Sequence, residues 1–151
     1  VSETDDFLES VLPRLTEADT AFHNGDAGAR VAIWSQNDPV TLFGALFTKN
    51  GWSEIGPTFE VLASRFSNCE SFEYEVTAAG VSGDLAYLVG IEHTTASIGG
   101  APRTSYALRV TTIFRRENGE WRVVHRHGDP MPESVPARDQ LARSVREDPN
   151  R

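Results

Sequence analysis

The stretch WRVVHRHGDP, residues 121 to 130, sets His125 and His127 two positions apart, with Asp129 close behind. Imidazoles titrate near neutrality and also ligate metals, so such a pair can move a proton, orient a ligand or hold an ion. On a strand, alternate residues share a face. Trp121, Val123, His125 and His127 then point one way, and Arg122, Val124 and Arg126 the other. The first set reads as inward-facing, with polar groups only at its C-terminal end.

A metal site needs a third ligand. Asp129 adjoins a proline, and Glu92 or His93 would have to arrive from another strand, so no metal is expected. Two readings remain for the histidines. They are pocket groups with acid–base or orienting roles, or they are hydrogen-bonded residues ending a sheet, one paired with Asp129 or Glu92. Glu92 closes the apolar run LAYLVGIE. Its carboxylate is either buried, with its proton affinity raised or with Arg109 as partner, or it faces outward from the sheet. Arg109 can clamp a carboxylate or enolate, or decorate the surface.

These side chains depend on the elements that carry them. Phe7, Leu8, Val11, Leu12, Leu15, Ala18 and Phe22 recur at helical spacing over the first 25 residues, with Glu3, Asp5 and Asp6 at the favourable end of the dipole. Pro13 is expected to kink or split that helix. Asn24-Gly25 ends it, and Asp26 can cap a short second helix bearing Ala29, Ile33 and Trp34. Val40 to Phe43 reads as a short strand. Ile55, Phe59, Leu62, Ala63 and Phe66 form a third helical stripe, with Pro57 tolerable only in a first turn. From Ser71 the period becomes two: Phe72, Tyr74, Val76 and Ala78 alternate with polar residues, and strands follow over 85–97, 104–116 and 121–127.

Asn118-Gly119 is a strong hairpin signal, and the loop length sets what faces the histidines. A two-residue turn puts Val110, Thr112 and Phe114 on their face. A three-residue loop puts Arg109, Thr111 and Ile113 there instead. The apolar count favours the first register, and the R-x-T pattern the second, toward which Arg109 leans.

The totals narrow the function class. A chain of 151 residues suits one domain with a real core. Its formal charge of -8 opposes nucleic acid, which wants a basic face. No apolar run reaches membrane-spanning length and no signal pattern opens the sequence, so a cytoplasmic home is expected, without a membrane partner. Cys69 is the single cysteine and reads as a small buried hydrophobe. Residues 1–130 form the expected domain, and 131–151 a mostly flexible charged tail in which Leu141, Ala142 and Val145 can make a short exposed helix.

Helices first and a long antiparallel meander afterwards define an α+β chain. That order, with VTLFGALFTKNGW (40–52), DLAYLVGIE (84–92) and LRVTTIFRRENGEWRVVHRH (108–127), resembles the nuclear transport factor 2-like superfamily. The likeness is to its SnoaL-like and ketosteroid-isomerase-like branch, and it covers about residues 5 to 130. It implies a cone: a curved antiparallel sheet packed on three N-terminal helices, with a pocket between them.

In such a cone His127, His125, Glu92 and Arg109 become candidate catalytic groups, and Trp34, Phe43, Trp52, Phe59 and Phe66 candidate lining for an apolar, flat ligand, or simply core. The resemblance implies a homodimer that takes an apolar small molecule. It further suggests a cofactor-independent isomerase, lyase or cyclase, or else a binding or dimerisation module without chemistry. Ketosteroid isomerase itself uses an Asp base with a Tyr and a protonated Asp as donors. Here Phe43 falls at the base position, Asp38 precedes the strand, and the first helix has no Tyr, so that mechanism is not expected.

Overall fold

The computed structural model describes residues 2–147. Helix α1 spans Glu3–Phe22, started by Ser2, whose Oγ accepts from the Asp5 N–H at 3.0 Å. It is not split at Pro13, because Phe7, Val11, Leu15, Ala18 and Phe22 lie buried on one stripe and packing holds the helix through the break. Helix α2 (Gly28–Ile33) follows, and the Asp26 carboxylate accepts from the Gly28 N–H at 2.8 Å. Helix α3 covers Trp52–Ala63, shorter than the stripe suggested, since Phe66 already belongs to a strand. Pro57 sits beyond its first turn and is nevertheless accommodated.

Six strands form one curved sheet: β1 (Thr41–Phe43), β2 (Thr48–Asn50), β3 (Phe66–Ser82), β4 (Leu85–Ile98), β5 (Thr104–Glu117) and β6 (Glu120–Pro130). Their order is β2-β1-β6-β5-β4-β3, with β1 parallel to β6 and every other pair antiparallel. The short strand β2 was not foreseen. It exists because Gly44 to Phe47 turns tightly, with the Gly44 N–H donating to the Phe47 carbonyl at 2.8 Å.

The last hairpin resolves the register question in two steps. Glu117 pairs with Glu120 across a two-residue turn in which Asn118 and Gly119 both have positive φ, 52° and 80°. Further along, Phe114 pairs with Val123 but Ile113 pairs with His125, so Val124 is an extra residue in β6. This β-bulge inverts the alternation beyond it. Trp121 and Val123 face the core, and so do Arg126 and Gly128. His125 and His127 therefore share the outer face with Ile113 and Thr111, and Arg109 stands there opposite Asp129.

The core lies between the sheet's concave face and α1 to α3. The Phe7 ring meets Phe114 at 5.0 Å and Trp121 at 5.4 Å, both edge to face. Residues Val135–Arg146, within the tail read as mostly flexible, form a further helix, α4. It is set by Ser134, whose buried Oγ accepts from the Ala107 N–H at 2.8 Å, and it buries Ala137 and Val145. Cys69 is half-buried rather than part of the core. No helix among the described residues is long and apolar enough to cross a membrane.

Phe114 is fully buried at the centre of this packing. Replacing it with alanine should lower unfolding stability by about 3–5 kcal/mol, seen as an earlier urea midpoint with the slope unchanged.

Candidate functional site

The outer face of the sheet carries little chemistry. His125 Nδ1 lies 2.7 Å from Thr41 Oγ1, and Phe43 packs edge-on against both His125 and His127, at 5.2 and 5.6 Å. Burial, then the neighbouring His127, hold His125 below the usual histidine range. His127 Nε2 is 3.4 Å from Asp129, with both side chains about half exposed. Among the described residues no group of three or more His, Cys, Asp or Glu converges. The inward placement expected for the two histidines is corrected by the bulge at Val124, which sequence alternation alone does not reveal, and Arg109 faces outward by the alternation of β5 itself, between inward Leu108 and Val110.

The concave face is different. A cavity of about 80 Å³ is walled by Phe22, Leu42, Phe59, Phe66, Ile98 and Leu108. The half-buried turn Gly44–Phe47 and α4, through Arg138 and Leu141, border it on the solvent side. Of the five aromatic candidates, Phe59 and Phe66 line this cavity. Trp34 is 2% exposed in the core and packs edge-on against Phe59 at 5.2 Å. Trp52 packs behind Phe59 at 6.5 Å, and Phe43 is 42% exposed on the opposite face of the sheet. These three are outside the cavity wall because only the concave side of the sheet and the inner stripes of the helices reach it.

At its inner end the apolar wall gives way to His23, Arg30, Glu92, Tyr106 and Arg126, while Ser134 joins Arg138 on the side of α4. Glu92 comes from β4, where alternation places it inward opposite Leu108, and it is buried. Arg126 of β6 grips it as a fork, Nη1 to Oε2 at 2.6 Å and Nη2 to Oε1 at 2.8 Å. The carboxylate keeps Arg126 protonated, outweighing the effect of burial. This reading keeps Glu92 as a buried pocket group, with Arg126 rather than Arg109 as its partner.

A second ion pair joins Asp19 of α1 to Arg30 of α2, both buried. The Arg30 guanidinium also lies 3.7 Å from the centre of the Phe22 ring. Between the two pairs sits His23, 4% exposed, with Nδ1 at 2.7 Å from the Asp19 carbonyl oxygen and Nε2 at 2.5 Å from Tyr106 Oη. Burial pushes the His23 pKa down to about 4, partly offset by the Asp19 carbonyl. The ring is thus neutral and carries one proton. A carbonyl only accepts, so that proton is on Nδ1, and Tyr106 donates its hydroxyl proton to Nε2. Burial, and next the charge of Glu92, hold the Tyr106 phenol well above its usual range.

His23, Tyr106, Asp19, Arg30 and Arg126 were not singled out by sequence reading. Asp19 and His23 had a visible signal: they are four apart and continue the stripe of Leu15, Ala18 and Phe22, where a polar residue has no reason to sit unless it is bonded inside. Tyr106 heads the inward series Tyr106, Leu108, Val110, Thr112 and Phe114.

Two measurements separate the faces. Arg126→Met leaves the Glu92 carboxylate buried without its partner and should cost about 3–5 kcal/mol, while His127→Ala on the outer face should stay within about 0.5 kcal/mol. Between pH 6.5 and about 4 the unfolded chain protonates His23 and the folded chain does not. Stability should accordingly fall as pH drops through that window, by on the order of 3 kcal/mol, with no further loss from this residue below it. Urea titrations of the wild type and of His23→Asn across the window should show the slope reduced in the variant.

The comparisons agree with this architecture. A family described as SnoaL-like domain matches residues 11–133. A search of curated proteins finds no match. Among solved structures, a candidate dehydratase of the NTF2-like family from Streptomyces avermitilis superposes with a TM-score of 0.66 at 20% identity, covering 84% of this chain and 97% of that one. An NTF2-like superfamily protein from Salmonella enterica serovar Typhimurium gives 0.63 at 18%, covering 83% and 86%. A ketosteroid isomerase candidate from Parabacteroides distasonis gives 0.62 at 14%, covering 81% and 86%. At these identities the likeness is one of fold.

Proposed function

Since the chain belongs to the SnoaL-like domain family, within the NTF2-like fold, we propose that it binds a small molecule in the concave cavity and handles a proton on it without a cofactor, as an isomerase or lyase does. The observation that carries this reading is the neutral His23–Tyr106 pair, fixed in one tautomer at the inner end of an apolar cavity beside a buried ion pair.

Tyr106 Oη faces the ligand's reacting hydrogen. As it takes that proton, its own passes to His23 Nε2. A His23 cation that is a strong acid returns the proton readily, which suits a shuttle rather than a sink. The Glu92–Arg126 pair supplies a fixed dipole that needs no reorganisation as charge develops. Two structural neighbours, a candidate dehydratase and a candidate ketosteroid isomerase, are compatible with such chemistry in those proteins.

A second reading, binding without turnover, is favoured by one observation: Glu92, Asp19 and His23 each already have a partner inside the chain. Incubation with a panel of small ketones and alcohols in D2O separates the two. Turnover appears as deuterium on carbon or as loss of water, and His23→Phe should lower its rate by about 100-fold or more. The rate should show no inflection near pH 6.5, because His23 stays neutral down to about 4. Saturable binding with no exchange for any compound supports the second reading instead.

The outer face supports a partner of its own kind. Leu85, Tyr87, Ile113 and Phe43 are 52%, 47%, 36% and 42% exposed, and Tyr87 pairs with Ile113, which pairs with His125. We propose that two copies pair through this patch. Sedimentation equilibrium should give a dimer for the wild type and a monomer for Ile113→Glu.

A further inference from the structure

Three features of the cavity constrain what it accepts, and together they name a class of ligand for the pocket proposed above. The first is charge. The inner end holds Asp19 with Arg30 and Glu92 with Arg126, and His23 is neutral, so the local charge sums to zero. An ionised ligand would be stripped of water and meet no unpaired counter-ion, a large penalty in so apolar a site. Carboxylates and protonated amines are disfavoured alike.

The second is hydrogen-bond capacity. The His23 Nδ1 proton goes to the Asp19 carbonyl, so Tyr106 has committed its proton to Nε2. Tyr106 Oη also takes a hydrogen bond from the buried Thr94 side chain, so it offers only its remaining lone pair to the cavity. Glu92 also only accepts, with its in-plane fork filled by Arg126. Arg126 uses one N–H from each terminal nitrogen on Glu92 and keeps further donors. A hydroxyl, which donates once and accepts twice, matches acceptors beside a donor. A ketone or ether leaves that remaining lone pair unanswered.

The third is size. A dry apolar cavity of about 150 Å³ holds benzene. This one measures about 80 Å³, so the flat polycycle expected from the aromatic residues does not fit.

We infer that the cavity is a site for a small uncharged alcohol, held through its hydroxyl by Tyr106 Oη and the Glu92–Arg126 pair. This rests on the pocket reading above, and it adds the ligand's charge, functional group and size.

The test is a set of ¹⁵N–¹H NMR titrations of the full chain with 2-propanol, acetone, propionate, isopropylamine and progesterone. The four small probes, each smaller than benzene, differ in the polar group on a three-carbon frame, and progesterone supplies the polycycle. Saturable shifts at cavity amides such as those of Tyr106, Leu108 and Leu141 are expected with 2-propanol, with at least tenfold weaker binding for the other four. Tyr106→Phe should erase the preference for alcohol over ketone. Ala137→Leu, which fills the cavity from α4, should weaken the alcohol at least tenfold without touching the polar group. Equal or tighter binding of the ketone, propionate, the amine or progesterone at the same amides overturns the inference and leaves a working pocket. A preference that survives Tyr106→Phe, or alcohol binding indifferent to Ala137→Leu, overturns it as well. No cavity shift with any probe removes both the inference and the pocket reading.

Discussion

The Glu92–Arg126 fork is the interaction on which the arrangement of the concave face depends. A carboxylate on β4 and a guanidinium on β6 meet across β5, inside an apolar shell, and neither tolerates that place alone. Both must point inward. For Glu92 simple alternation suffices, but Arg126 arrives only because Val124 is taken up in a bulge and not counted in the pleat. The bulge, the ion pair and the curvature of the sheet are thus one constraint seen at three levels: backbone count, charge pairing and shape.

Around that fork the remaining polar groups are arranged to leave no net charge. Asp19 and Arg30 close the gap between α1 and α2, and burial keeps His23 uncharged among them. The neutral imidazole is what lets one carbonyl decide the direction of a hydrogen-bond chain three groups long: the Asp19 carbonyl oxygen, the His23 ring and the Tyr106 hydroxyl. A charged ring would donate at both nitrogens and reverse the second link. Burial therefore sets not only a proton affinity but also which atoms face the cavity as acceptors.

Much of the fold was legible in the letters. The stripe on α1, the period-two strands and Asn118-Gly119 follow from local physics, because helix and strand periodicities are imposed by the burial of one face. The site was legible in part. Glu92 stood out as a carboxylate in an apolar strand and is indeed buried. Arg126 did not, because a bulge depends on what the neighbouring strand requires, and nothing within WRVVHRH marks Val124 as the extra residue. Phe59 and Phe66 reach the cavity while Trp34 and Trp52 pack around Phe59, a distinction of a few ångströms that residue type cannot make. The charged tail suggests at most a short exposed helix around Leu141, Ala142 and Val145, whereas α4 runs over Val135–Arg146 and is seated by Ser134, Ala137 and Val145.

The bulge also makes β6 behave like a text with a reading frame. Side chains along a strand are read in twos, so one inserted residue exchanges everything downstream between interior and exterior. Read with Val124 counted in the alternation, the same letters deliver His125 and His127 to the cavity and turn Arg126 out to solvent. Read with Val124 set aside in the bulge, they deliver the guanidinium and leave the histidines beside Phe43. Two different polar sites are thus written in one ten-residue stretch, and whether one backbone position is bulged or counted in the pleat, with no change of sequence, decides which of them faces the cavity.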